Sequence, residues 1–184
     1  MNPNTAEYYN IYWGGDASAT YLRDKQLDEI AGVIVKRFGG SAQVIMDIGG
    51  GISRIARLAR DAGHVPVVVD HSRVAVERME AEGIAGMVYD VNRWRGRRLM
   101  PIVHITTCTE VLEHLDDPER AVSMARAHAK RGFYTTPNNC MGPDEQPNHL
   151  RMFTAASLRE LLERHYRTVD VRVMHRWLVA ECTA

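Results

Sequence analysis

The chain of 184 residues has little that would bind it together covalently or place it in a membrane. Its three cysteines (Cys108, Cys140 and Cys182) are odd in number, far apart and without C-x-x-C spacing. That argues against a disulfide framework or a zinc site and fits a reducing compartment. No apolar run approaches the roughly 20 residues that span a bilayer. Met1-Asn2-Pro3-Asn4 lacks the charged and apolar regions of a signal peptide. Neither sign of charge is in excess, since Lys+Arg and Asp+Glu are both 23. The balance therefore advertises neither nucleic acid nor a membrane surface as partner. Repeats, low-complexity tracts and dividing linkers are also missing. The expectation is one cytoplasmic domain over residues 1–184, large enough to bury a sizeable core, with no membrane contact.

What the sequence does have begins at Val44-Ile45-Met46-Asp47-Ile48-Gly49-Gly50-Gly51-Ile52-Ser53. A short β-branched apolar run is the signature of a strand buried on both faces. Three glycines end it, and Ile52, Ile55, Ala56, Leu58 and Ala59 then fall at helical spacing. Strand, glycine turn and helix bring backbone close to a ligand and aim a helix N-terminus at it.

The same signals repeat along the chain. Val65–Asp70, Gly86–Asp90, Pro101–Thr107 and Gly132–Thr136 read as further strands. Helices are expected from Asp16 or Ser18 to about Phe38, with Leu22, Leu27, Ile30, Ala31, Ile34 and Val35 as apolar stripe. Others are expected after Ser72, after Asp117-Pro118 and after Thr154, each of which suits a helix start. Asn92–Leu99 reads as a short exposed helix or loop, and 137–148 as a loop. Val169–Met174 and Trp177–Cys182 form a terminal hairpin around His175-Arg176. His64, His128 and His165 fall on expected exposed faces, and His104 is expected inside a packed strand. Strands alternating with helices mean an α/β, Rossmann-like, doubly wound sheet, mostly parallel with a C-terminal antiparallel hairpin. Residues 1–40 form an N-terminal helical segment in which Tyr8, Tyr9, Tyr12 and Trp13 suit either a lid over a pocket or a surface staple.

In such a sheet the ligand lies at the carboxyl ends of the strands, where strand order reverses. Those ends carry Asp47 and Gly49 to Gly51, Asp70, Asp90, and Thr107 to Glu110. Asp70 follows the glycines by about 20 residues, the spacing at which a carboxylate grips a ribose diol. A dinucleotide fingerprint is excluded because Arg54 stands at the third glycine of G-x-G-x-x-G, and a P-loop because no Lys-Ser/Thr follows. An adenosine ligand without a pyrophosphate fits better.

Asp47-Ile48-Gly49-Gly50-Gly51, Asp70-His71-Ser72, Tyr89-Asp90 and Glu110-Val111-Leu112-Glu113-His114-Leu115 together resemble the ordered motifs of class I S-adenosylmethionine-dependent methyltransferases. The resemblance implies a seven-stranded sheet and S-adenosyl-L-methionine as cofactor. It gives Asp47, Gly49, Gly50 and Gly51 the methionine end, Asp70 the ribose hydroxyls, and His71, Asp90 and Val91 the adenine. Thr107 to Glu110 then line the floor near the sulfonium. Ser53 replaces a frequent family glycine and can cap the following helix.

Methyl transfer from a sulfonium chiefly needs positioning, and a base only where the acceptor must lose a proton. Glu110, His114 and His149 are the candidate catalytic groups. Glu110 and Glu113/His114 are spaced for one face of a helical turn. Joined by His149, they form a ligand set for a divalent metal ion. The string resembles metal-dependent small-RNA 2′-O-methyltransferases and the ubiquinone-pathway O-methyltransferases. With zero net charge and no room for a nucleic-acid-binding domain, a small-molecule acceptor is expected, an oxygen before a nitrogen. The alternatives are an RNA 2′-O-methyltransferase and a non-catalytic cofactor- or partner-binding subunit. A homodimer stays open.

Overall fold

The computed structural model describes residues 3–16, 19, 21 and 23–184. Seven strands form one sheet in the order β3-β2-β1-β4-β5-β7-β6. They are β1 (Val44–Ile48), β2 (Val65–Asp70), β3 (Ala85–Val88), β4 (Ile105–Thr109), β5 (Arg131–Pro137), β6 (Thr168–Met174) and β7 (Trp177–Thr183). The first five run parallel, with Val44 opposite Val65 and Ile45 opposite Ile105. The terminal hairpin adds β7 antiparallel to β5, and β6 outside it. The mostly parallel sheet with its antiparallel pair agrees with the sequence reading.

The helices among the described residues are α1 (Ala6–Gly14), α2 (Lys25–Lys36), α3 (Arg54–Asp61), α4 (Arg73–Ala81), α5 (Pro118–His128) and α6 (Ala155–Glu163). None is long and apolar enough to cross a membrane. Side chains alternate faces along a strand, and β1 feeds two cores accordingly. Ile45 packs with α2 residues Ile30 and Ile34 and with Ile55 of α3. Met46 and Ile48 pack on the other face with α5 and α6, through Val122, Met124, Leu158 and Leu162. A third cluster joins Trp13 of α1 to Ile52, Ala56 and Val68 and to Ala75 and Met79 of α4.

Caps stand where their residue types suggest. Ser53, Ser72, Asp117 and Thr154 each accept a backbone N–H of the first turn that follows, and Pro118 opens α5. Several boundaries differ from expectation: β3 spans Ala85–Val88, so Asp90 lies beyond the strand and not at its end. Helix α2 itself starts at Lys25, where the Asp24 carboxylate accepts the Gln26 and Leu27 N–H groups, while Ala19 and Tyr21 ahead of it are also helical. Ser18 and Leu22 lie outside the described residues. Strand β4 begins at Ile105 and runs on to Thr109, since Pro101 has no N–H to give and Ile102 is exposed. The Asn92–Leu99 stretch is a 3₁₀ turn over Val91–Arg93 and then loop.

The histidines are corrected as well. His104 is exposed, and its Nδ1 accepts the Val44 N–H at the sheet's amino edge. His64 and His128 are buried. His128 bridges the Met124 carbonyl and the Leu99 N–H, which fixes the 94–100 loop on α5. Helical periodicity had placed these rings outside, but chain returning over the helix ends covers them.

Gly132 in β5 tests the packing behind the sheet. A Cβ there would lie 2.7 Å from Tyr166 Oη and 3.1 Å from Tyr134 Cε2, two phenols that hydrogen-bond at 2.8 Å in the core. Gly132→Ala is expected to overpack this corner and cost about 1–3 kcal/mol. Urea unfolding should show a lowered midpoint with an unchanged slope.

Candidate functional site

Strand order reverses between β1 and β4, and at the carboxyl ends of these strands lies a cavity of about 350 Å³. Its size suits a small-molecule site. Its floor is the glycine turn. Gly49 and Gly51 have φ of 66° and 56°, a region that a Cβ disfavours. Space demands glycine as well. A Cβ on Gly49 would meet Val111 Cγ2 at 2.6 Å, one on Gly50 would meet Asp47 Oδ2 at 2.5 Å, and one on Gly51 would overlap the Trp13 ring.

Asp47 supports the turn from below. It is fully buried; Ser53 Oγ donates to its Oδ2 at 2.5 Å and Thr107 Oγ1 to its Oδ1 at 2.6 Å. Burial pushes its carboxyl up to about 6, although the two hydroxyl donors work against that shift. Asp70 ends β2. Its Oδ2 accepts the Gly51 N–H (2.9 Å) and its Oδ1 the Ser72 N–H (2.7 Å), and burial raises its carboxyl despite these bonds.

Of the residues expected to hold a cofactor, Gly49, Gly50, Asp70, His71, Asp90 and Val91 line the cavity. Asp47, Gly51 and Thr107 stand behind its wall. Thr107 is interior because β4 continues for two residues beyond it, so Thr109 and Glu110 form the floor instead. Asp90 caps the 3₁₀ turn through the Asn92 N–H and pairs with Arg93 at 3.5 Å.

The far wall holds Glu113, His114 and His149. Glu113 and His114 share a short 3₁₀ turn, Leu112–His114, and the Leu150 N–H donates to the Glu113 carbonyl at 2.7 Å. That bond brings the 138–153 loop over. The His114 ring takes the Asn148 carbonyl at 2.8 Å and the His149 ring the Met141 carbonyl at 2.5 Å, both through Nδ1. Each Nδ1 must therefore carry the proton, which leaves both Nε2 atoms as lone pairs. The rings meet edge to face at 4.6 Å. Burial holds both imidazoles down at about 4, so they are neutral near pH 7. Glu113 is 1 % exposed; Thr136 Oγ1 donates to its Oε2 at 3.0 Å, while its Oε1 is buried without a hydrogen-bond partner. Burial pushes its carboxyl up to about 7. One ligand atom from each of these three residues lies within 4.8 Å of the others.

Glu110 departs from the expected helical turn. With φ of 57° it turns away, and its carboxylate accepts Thr135 Oγ1 (2.8 Å) and Trp177 Nε1 (2.7 Å). It lines the same cavity but does not join the cluster of three. Burial and the nearby Glu113 raise its carboxyl well above the usual range.

Several contributors escaped the motif reading. Thr135 and Thr136 alternate at the end of β5 and serve Glu110 and Glu113, a signal present in the strand's polar terminus. Trp13 and Tyr9 reach the cavity from α1. Tyr9 lies 5.1 Å from the His71 ring and 6.1 Å from that of His114, and its hydroxyl receives Asn148 Nδ2 at 3.4 Å.

Comparisons with known proteins agree with this geometry. A family model described as a methyltransferase domain matches residues 23–165. No curated protein sequence matches. Among solved structures, one similar chain is a possible histamine N-methyltransferase from Thermotoga maritima. It is 15% identical, with a TM-score of 0.73 over 95% of this chain and 98% of that one. Another is the 1,6-didemethyltoxoflavin-N1-methyltransferase of Burkholderia thailandensis, with 16% identity and a TM-score of 0.72 over 91% and 82%. A third is the magnesium protoporphyrin IX methyltransferase of Synechocystis, with 13% identity and a TM-score of 0.67 over 86% and 79%. At such identities the likeness speaks for the fold.

Asp47 supplies a prediction in pH. Its folded carboxyl, at about 6, lies above the ordinary 3.8, so the folded state binds the proton more tightly. Its contribution is favourable at low pH and is lost as pH rises through that window. The melting temperature of Asp47→Asn relative to the unaltered protein should therefore climb between about pH 4 and pH 7. A difference that stays flat would refute the assignment.

Proposed function

The chain belongs to the methyltransferase-domain family and has the fold of the S-adenosylmethionine-dependent enzymes, and from that premise we propose that it methylates a small molecule, at oxygen before nitrogen. The observation that carries this reading is the pairing of two walls across one cavity. A bare glycine turn with Asp70 faces one side, and Glu113, His114 and His149 face the other.

The donor supplies an activated methyl group on a sulfonium, and the residues present fit it. Asp70 has acceptor capacity left on both oxygens for the ribose diol, and the glycine turn lets backbone approach the methionine end. His71, Asp90 and Val91 border the place for the adenine. Helix α1 is read as the lid of the 1–40 segment, with Tyr9 and Tyr12 bordering the cavity and excluding part of the water around a bound acceptor. The cavity's volume of about 350 Å³ supports a small acceptor.

An acceptor hydroxyl must lose its proton as the new oxygen–carbon bond forms. Glu113, His114 and His149 fit a divalent metal ion: one orphaned carboxylate oxygen and two imidazoles whose other nitrogens are already bound to carbonyls. Bound there, such an ion would acidify an acceptor hydroxyl. The low imidazole pKa values keep both lone pairs available at neutral pH. Glu110 sits on the donor side of the floor and is left out of this ligand set.

Two measurements test these assignments. Titration calorimetry should show binding of S-adenosylmethionine and its demethylated product, and Asp70→Ala should weaken both by about tenfold or more. Absence of binding by the unaltered protein, with or without divalent metal, would sink the reading. Metal content after dialysis should be near one equivalent per chain and should fall to background in both His149→Ala and Glu113→Gln. Equal content in all three proteins would remove the metal and leave the methyl donor standing.

A further inference from the structure

Among the described residues that line the cavity, Arg176 is the only arginine or lysine. It lies in the turn of the terminal hairpin, between β6 and β7. Antiparallel pairing sets Trp177 opposite Pro137, so β7 starts where the parallel strands end. Strand order keeps it apart from the nucleoside wall, because β4 and β5 stand between β7 and β1. The turn is pinned on two sides. His175, with φ of 54°, places its Nε2 3.0 Å from Glu29 Oε2 on α2. The Arg176 carbonyl accepts the Asn138 N–H at 2.8 Å and the Cys140 thiol at 3.6 Å. Met141, the next residue of that loop, lines the cavity and offers its carbonyl to the His149 ring. One short loop thus ties Arg176 to the wall that holds His149.

The side chain is placed but not used up. Its guanidinium carbon stands 4.6 Å from the centre of the Trp177 ring, and that ring is fixed by its own bond from Nε1 to Glu110 at 2.7 Å. A guanidinium over an aromatic face is steadied there while its N–H donors stay available at the rim. The carboxylate paired with it, Asp24 Oδ2, is 3.8 Å away, beyond hydrogen-bond reach. Asp24 spends its other oxygen on the Gln26 and Leu27 N–H groups at the start of α2. The arginine side chain is 53% exposed, so solvent weakens that pair further. None of its N–H groups makes a hydrogen bond to a described residue.

We propose that Arg176 sets acceptor specificity by holding an anionic oxoacid group, a carboxylate or a phosphate, on the molecule that is methylated. The assignment rests on the methyltransferase reading and narrows its acceptor to an anion. A guanidinium fork matches such a group bidentately, and hydrogen bonds of that kind are stronger than the distant pair with Asp24 that they would replace. Because backbone and ring already fix the arginine, little ordering is left to be done on binding. Glu110, beneath Trp177, does not oppose an anion. Burial raises its carboxyl well above the usual range, so it carries little charge near pH 7. The group to be methylated then points toward β1 and β4, and the anion lies on the β7 side.

The test compares ring compounds of similar size and different charge, by calorimetry on the full chain saturated with S-adenosylhomocysteine. The anions are para-hydroxybenzoate and para-hydroxybenzylphosphonate, which separate carboxylate from phosphate-type recognition. Neutral para-hydroxybenzamide and cationic para-hydroxybenzylamine are the controls. At least one anion should bind about tenfold more tightly than the amide, and the amine should bind weakest. Arg176→Gln should erase the preference and bind S-adenosylhomocysteine as the unaltered protein does. Arg176→Lys, which keeps the charge and loses the fork, should recover part of it. Equal binding of anions and amide by the unaltered protein, or failure of both anions to bind, would overturn the assignment. So would an anion preference that survives in Arg176→Gln, or a loss of S-adenosylhomocysteine binding in that variant, because the arginine would then serve the donor or the fold. If the unaltered protein binds no S-adenosylhomocysteine, the donor reading falls by itself, and the same comparison on the free protein still decides for or against Arg176.

Discussion

A single buried carboxylate, Asp47, ties together the three pieces from which the cavity is built. It is the penultimate residue of β1, next to Ile48, receives the hydroxyl that caps α3, and receives a second hydroxyl from β4 across the sheet. The strand, the helix start and the neighbouring strand are thus fixed relative to one another at the point where strand order reverses. The arrangement opposes the stability of the isolated chain, because two neutral donors do not offset the desolvation that raises the acid. An apolar residue would pack there with less penalty, but it would orphan the Ser53 and Thr107 hydroxyls and free the turn to move. Stability is given up where the backbone must stay bare and fixed.

The bare turn in turn makes a place for α1. Trp13 lies against Gly51, and the third core cluster forms around it. Polar contacts finish the docking: the Asn10 side chain accepts from Ser72 Oγ and the Val74 N–H, and Arg78 donates to the Trp13 carbonyl. These partners belong to the start and middle of α4, the helix that follows Asp70. The segment bordering the cavity is therefore anchored to the same β–turn–α units that line it.

Where the chain's chemistry is local, the sequence was legible. β1, β2 and the caps at Ser53, Ser72, Asp117 and Thr154 follow from apolar runs, glycine and hydroxyl or carboxylate placement, and they fall where expected. Legibility fails where a distant segment decides the outcome. Glu110 looked like the start of a helical turn, but Thr135 and Trp177, from two other strands, pull its carboxylate away from Glu113. His128 looked exposed until the Leu99 N–H came down on it. Arg54 was noticed only as the residue that excludes a dinucleotide. No pattern of spacing could reveal that its terminal nitrogens are sealed in beside the turn.

Two buried groups carry opposite unfinished business. At the turn, Arg54 has donors without acceptors; at the far wall, Glu113 Oε1 is an acceptor without a donor. Other buried groups vary: His128 uses both ring nitrogens and Tyr134 pairs with Tyr166, whereas Arg151 Nε is buried without a hydrogen-bond partner. Burial that leaves charge-capable atoms unpaired is selected against unless something else completes them. Arg54 and Glu113 differ in sign, and Glu113 is the one that lines the main cavity. A metal ion or a proton-donating ligand in the main cavity would complete the Glu113 oxygen. What the cavity can take is thus limited by where hydrogen bonds are missing as much as by where they are made.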